Sequence, residues 1–80
     1  MKTREAVAKR ITELCLERNL TINGLATISA VPPSTLKNII YGISKNPGVV
    51  TIKMLCDGLE LSLDEFFNSA LFKDLEQEIE

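Results

Sequence analysis

The stretch VPPSTLKNIIYG, Val31 to Gly42, decides how the chain is read. Two prolines open it. Leu36, Ile39 and Ile40 then recur at helical spacing, and Gly42 closes the run. Proline is tolerated at the first helical position, because its missing N–H has no intrahelical partner there. The spacing therefore predicts a short helix over 33–41, with Pro33 as its first residue and Pro32 stiffening the turn before it. A start at a Ser34 cap is the other frame the residues allow. On this helix Ser34, Lys37, Asn38 and Tyr41 lie at i, i+3, i+4 and i+7, so they share one stripe, away from Leu36, Ile39 and Ile40.

Outward from this stretch the helical signals continue. In the first segment Val7, Ile11, Leu14 and Cys15 form an apolar stripe, with Lys9, Arg10, Glu13 and Glu17 off it. Thr3 is the expected cap at its start, and Asn19 marks its end. Thr21 is the expected cap of a second helix, with Leu25, Ala26 and Ile28 as its inner face. Gly24 inside it costs about 1 kcal/mol relative to alanine. Val31, before a proline, is biased to extended geometry and separates the second helix from the third.

After Gly42 the stretch ISKNPGVV reads as a loop. Thr51 is the expected cap of a fourth helix carrying Ile52, Leu55, Cys56 and Leu59 inward, and Gly58 weakens its end. Ser62 with Glu65 three residues on is a capping box, and Leu63, Phe66 and Phe67 make the short fifth helix an apolar plug. In the tail, Phe72, Leu75 and Ile79 fall on one stripe, which predicts a last amphipathic helix from Ser69. No strand is expected. The expected fold is all-α: a compact five-helix domain over 1–68 and an additional amphipathic helix over 69–80.

Two short helices joined by a tight turn, the second with a polar outer face, is the arrangement of a helix-turn-helix. The residues TINGLATISAVPPSTLKNIIYGISKNPGVVTIKMLCDGLELSLDEFF, 21 to 67, resemble the phage-repressor-like helix-turn-helix regulators of the Cro/C1 type, the XRE family. The likeness rests on Leu25 and Ala26, on Ser34 to Leu36, on Gly42, on Pro47 with Thr51, and on LSLDEFF at the end. The unit itself would span about 21–41. The resemblance implies a lambda-repressor-like fold and double-stranded DNA as partner, with the helix at 33–41 entering the major groove. Four positions depart from the usual pattern. Ile22 stands where a polar residue often contacts phosphate, and Ala30 where glycine is frequent. Ile40 stands where an acidic residue is common, and Pro32 and Pro33 replace the usual polar residues.

A groove reader needs donors and acceptors that reach base edges. Asn38 suits adenine, Lys37 suits guanine, Ser34 serves base or phosphate, and Pro33 offers apolar contact to a thymine methyl. Thr21, Thr35, Tyr41, Lys45 and Asn46 are the expected phosphate contacts. For Tyr41, capping the helix end is the alternative. One reading helix covers few base pairs, so a homodimer on a palindromic site is expected. Its contact would be Phe72, Leu75 and Ile79, unless that stripe packs on Phe66 and Phe67 of the same chain.

Net charge is −2 over 80 residues, but it is unevenly spread. Residues 1–53 hold eight Lys or Arg and three Glu, or +5; residues 54–80 hold one Lys and eight Asp or Glu, or −7. A basic front half suits a polyanion although the average is acidic. There is no histidine, nucleophile elbow or glycine-rich phosphate loop, so an enzyme is not expected. Cys15 and Cys56 fall on apolar faces as core residues, and no metal, cofactor or small-molecule ligand is expected. Nothing approaches the roughly 18 apolar residues of a membrane span, and the charged N-terminus lacks a signal-peptide core; a cytoplasmic protein is expected. A protein-interaction module on the same scaffold, antitoxin- or anti-repressor-like, is the competing expectation, prompted by the acidic back half and Ile22.

Overall fold

The computed structural model describes residues 1–80. Five α-helices follow one another: α1 (Thr3–Arg18), α2 (Ile22–Ser29), α3 (Pro33–Ile40), α4 (Val49–Leu59) and α5 (Leu63–Phe67). A single 3-10 turn, Ala70–Phe72, completes the order, and there is no strand. No helix is long and apolar enough to cross a membrane.

One core joins all five helices. Val7, Ile11, Leu14 and Cys15 of α1 meet Leu25 and Ala26 of α2, Leu36 and Ile39 of α3, and Ile52, Leu55, Cys56 and Leu59 of α4. Val31, between α2 and α3, is buried with them, and Phe66 of α5 is fully enclosed. The predicted stripes are therefore mostly the buried ones, but of the predicted α5 plug only Phe66 is buried, Leu63 being half-buried and Phe67 exposed, and α2 departs as well. Ile28 is half exposed, and Ser29 is buried in its place. The inward row of α2 runs through 22, 25, 26 and 29, which leaves Ile28 off it.

The small Ser29 has a reason. A Cβ added to Gly58 of α4 would lie 2.9 Å from the Ser29 Cα and 3.0 Å from the Ile28 carbonyl oxygen. Glycine here does more than weaken a helix end: it lets α4 approach the backbone of α2. The Ser29 hydroxyl lies buried in this contact without a hydrogen-bond partner within the chain.

Three of the four connections between helices, after α1, α2 and α4, share one device. Asn19, Ala30 and Glu60 take left-handed backbone, with φ of 58°, 56° and 58°. The N–H of the next residue then donates back into the helix: Leu20 to Cys15 O at 2.9 Å, Val31 to Ala26 O at 3.1 Å, Leu61 to Cys56 O at 2.9 Å. Each of those next residues is apolar and packs on the core. This is the Schellman pattern without its glycine. The left-handed conformation at Ala30 and Glu60 costs on the order of 1 kcal/mol each, repaid by the apolar residue that follows.

Helix starts correct two expectations. Lys2, not Thr3, is the N-cap of α1; Thr3 is its first helical residue, and Glu5 accepts from the Lys2 N–H at 2.9 Å. Helix α4 begins at Val49, not after a Thr51 cap, with Gly48 as N-cap and no side-chain cap. Pro47 and Gly48 supply the extended entry, and glycine substitutes for a polar cap at little cost. Two predicted caps are present. Thr21 Oγ1 accepts from the Gly24 N–H at 2.9 Å, and Ser62 with Glu65 forms the capping box of α5.

The predicted helix over 69–80 does not form. After the turn at Ala70–Phe72 the chain runs without regular structure to Glu80. Phe72 packs into an aromatic group with Phe66 and Phe67, at centroid distances of 6.3 and 4.9 Å. Leu75 is half-buried and Ile79 is exposed. The segment then returns along the start of α1. The Glu76 N–H donates to Met1 O at 3.0 Å, and the Thr3 N–H donates to Glu78 Oε2 at 3.1 Å. A 12-residue helix is marginal alone. Here the free donors at the start of α1 attract the carboxylates that such a helix would have left in solvent.

Candidate nucleic-acid interface

Helix α3 is positioned by what it buries. Leu36 and Ile39 are locked between α1 and α2, so the opposite side must face out. Pro33 is the first helical residue and Pro32 the N-cap, with the Leu36 N–H donating to Pro32 O at 3.1 Å. This selects the Pro33 frame over the Ser34 cap. Pro33, Ser34, Thr35, Lys37 and Asn38 are all exposed on the outer side. Lys37 takes part in no ion pair.

The end of α3 is held tightly. The Asn38 carbonyl accepts from both Ile43 and Ser44 at 2.9 Å, while Gly42 turns the chain with φ of 77°. Backbone at Asn38 is thus fixed and its amide side chain is exposed, which is the condition for defined reading geometry. Tyr41 is the C-cap by its backbone, which donates to Lys37 O at 2.9 Å; its side chain is 65% exposed. Both of its expected roles are therefore compatible.

Thr21 spends one lone pair on the Gly24 N–H, and its hydroxyl hydrogen stays free to donate outward. Ile22 is half-buried against the core, so the start of α2 has an apolar first residue instead of a polar one. Lys45 and Asn46 are exposed in the loop between α3 and α4. They share a hollow of about 620 Å³ with Lys2 and Arg4 of the α1 start, Val49 of α4 and Glu78 of the returning tail.

The fold sorts the cations in a way the sequence does not show. Arg10 donates to the carbonyls of Phe66 at 2.6 Å and Glu65 at 3.0 Å, and Arg18 to that of Leu59 at 2.6 Å. Both close helix C-termini. Lys53 pairs with Asp57, and Lys2 lies 3.9 Å from Glu76. Arg4, Lys9, Lys37 and Lys45, and Lys73 in the tail, remain without an ion pair. Arg4 and Lys9 line a shallow recess with Ile40, Tyr41 and Gly42 at the end of α3. These two were missed in the sequence: on α1 they look like ordinary solvated charges, and only packing sets them beside α3.

Elsewhere the chemistry is structural. Burial pushes the thiols of Cys15 and Cys56 up, which suppresses the reactive thiolate. Hydrogen bonds from Ser62 hold Glu65 below the usual carboxylate range, as a cap requires. No three His, Cys, Asp or Glu side chains are grouped to hold a metal ion. Phe72, Leu75 and Ile79, expected to form one dimer face, do not share a helix, since only the 3-10 turn Ala70–Phe72 forms there.

The profile of the helix-turn-helix family matches residues 11–66. Among solved structures, the crystal structure of the prophage Lp1 protein 11 is similar to this chain: 36% identical, with a TM-score of 0.80 over 94% of this chain and 100% of that one. None of the curated proteins compared gives a match.

Proposed function

The chain belongs to the Cro/C1-type helix-turn-helix family of DNA-binding regulators, and we propose that it reads a short operator through α3 in the major groove. One observation carries this reading: an exposed polar stripe, on a helix pinned by its other side, flanked by cations that make no ion pair within the chain. In this reading Lys37 donates to guanine O6 or N7, and Asn38 pairs with adenine; each such contact discriminates by about 1–3 kcal/mol. Ser34 and Pro33 serve the first bases, Pro33 through apolar contact. Thr21, Thr35, Tyr41, Lys45 and Asn46 hold phosphates, and Arg4 and Lys9 extend that line past the end of α3.

A regulator with one short reading helix gains specificity by binding as a two-fold pair on a palindromic site. The tail is not a helix, so that pairing is not assigned to it. The regulator acts as repressor or activator according to where its operator lies.

Salt dependence tests the reading. With six or more phosphate contacts, affinity for a selected operator should fall about 10³-fold or more between 50 and 200 mM salt. A chain that captures a protein partner and shows no salt-sensitive, sequence-selective DNA binding would be an interaction module instead.

A further inference from the structure

The geometry points to a built-in competitor for DNA: the acidic segment 74–80 occupies the cationic edge of the reading face as an intramolecular stand-in for DNA phosphate. This rests on the DNA-binding reading above and adds a regulation of that same surface.

The segment's placement carries it. Glu78 accepts from the Thr3 N–H at 3.1 Å, a free donor in the first turn of α1. Glu76 lies 3.2 Å from the Met1 amino group and 3.9 Å from Lys2 Nζ. Its backbone N–H, donating to Met1 O, fixes the segment in register. Glu78 also lines the hollow that contains Arg4, Lys45 and Asn46. Those last two are proposed phosphate contacts, and Arg4 sits beside the end of α3. A carboxylate taking N–H donors and ammonium groups uses the chemistry a phosphate oxygen uses. Thr3, Lys2 and Arg4 also hold Glu78 below the usual carboxylate range, so it is fully charged at neutral pH.

The hold is weak by construction. Glu76 and Glu78 are exposed, and exposed ion pairs are worth little and are screened by salt. DNA that gains only phosphate contacts must displace the segment with little to offset it. An operator that also satisfies Lys37 and Asn38 does so readily. The device therefore lowers the affinity of every DNA that must displace the segment, and the weak, almost wholly electrostatic binding of non-specific DNA is the first to fall below useful occupancy.

The test compares the full-length chain with Glu76→Gln/Glu78→Gln, which removes the two docked charges. Asp74→Asn/Glu80→Gln removes two charges from the same segment that make no ion pair with α1. The probe is a random-sequence DNA duplex, with affinity measured at about 50 and 200 mM salt. Amide NMR signals of Thr3 and Glu76 are followed in parallel, and the remaining amides report whether each variant keeps the fold. The docked-pair variant should bind about five-fold more tightly at the lower salt, with the gain shrinking at the higher. The Asp74/Glu80 variant should gain clearly less. DNA should move the wild-type Thr3 and Glu76 signals toward their positions in the docked-pair variant. Equal gains in both variants, or DNA binding that leaves those signals in place, would overturn the competitor while leaving the DNA-binding reading intact. Absence of DNA binding by every form would overturn both.

Discussion

Helix α3 and the tail begin from the same kind of pattern and end differently. Leu36, Ile39 and Ile40 recur at helical spacing, and so do Phe72, Leu75 and Ile79. The first set becomes a helix; the second yields one 3-10 turn and an irregular strand of chain. The difference lies in what waits for each. Leu36 and Ile39 meet apolar walls on α1 and α2, and the pattern is satisfied as a unit. Phe72 is claimed by Phe66 and Phe67, and Glu76 and Glu78 are claimed by the start of α1. Ile79 is left 77% exposed. Periodicity proposes a helix, and a partner surface of matching length decides whether it forms.

This contrast can be broken by substitution. Leu36→Ala should cost about 2–5 kcal/mol in chemical denaturation, because a fully buried side chain leaves a cavity. Ile79→Ala, the same class of change on the failed stripe, should stay within about 0.5 kcal/mol. A large effect at Ile79 would mean that the tail packs as a helix in solution. Gly58→Ala follows in size. Alanine improves helix propensity by about 1 kcal/mol, yet its Cβ would strike the α2 backbone, so a net loss of about 1–3 kcal/mol is expected. A stabilised variant would show that α2 and α4 stand further apart than described.

The smallest effect is a dependence on pH. Hydrogen bonds from Ser62 lower the pKa of Glu65, and those from Thr3 lower that of Glu78. A depressed folded-state value means that the contribution is present above the ordinary carboxylate value, about 4.3, and is lost as pH falls through the folded-state value. Tail docking and the α5 cap should therefore hold at neutral pH and release on acidification, before the core gives way. Amide exchange at Glu76 and Glu65 measures this. Release on raising the pH above neutral would contradict it.

Most of the fold was legible because its signals are local. The Thr21 cap, the Ser62–Glu65 box, the Pro33 start and the buried stripes each sit within a few residues of sequence. The start of α4 was misplaced because glycine at the N-cap leaves no side-chain signature, while Thr51 looks like one. Gly58 was misjudged because its role lies in a neighbour 29 residues away, Ser29. Arg10 and Arg18 counted toward a basic front half, yet both serve carbonyl groups 41 or more residues distant. For the interface, the α3 stripe was readable from spacing alone. Arg4 and Lys9 were not, since only the packing of α1 on α3 brings them there.

The central claim is that Asn38 reads a base from a rigid helix. Binding sites selected from random DNA by the wild-type chain and by Asn38→Ala, compared at one salt concentration, test it most directly. Expected is a loss of about 1–3 kcal/mol confined to one base position per half-site, with relaxed preference there and the rest of the operator unchanged. An equal loss on every sequence, with the preference at all positions retained, would contradict it and make Asn38 a phosphate contact.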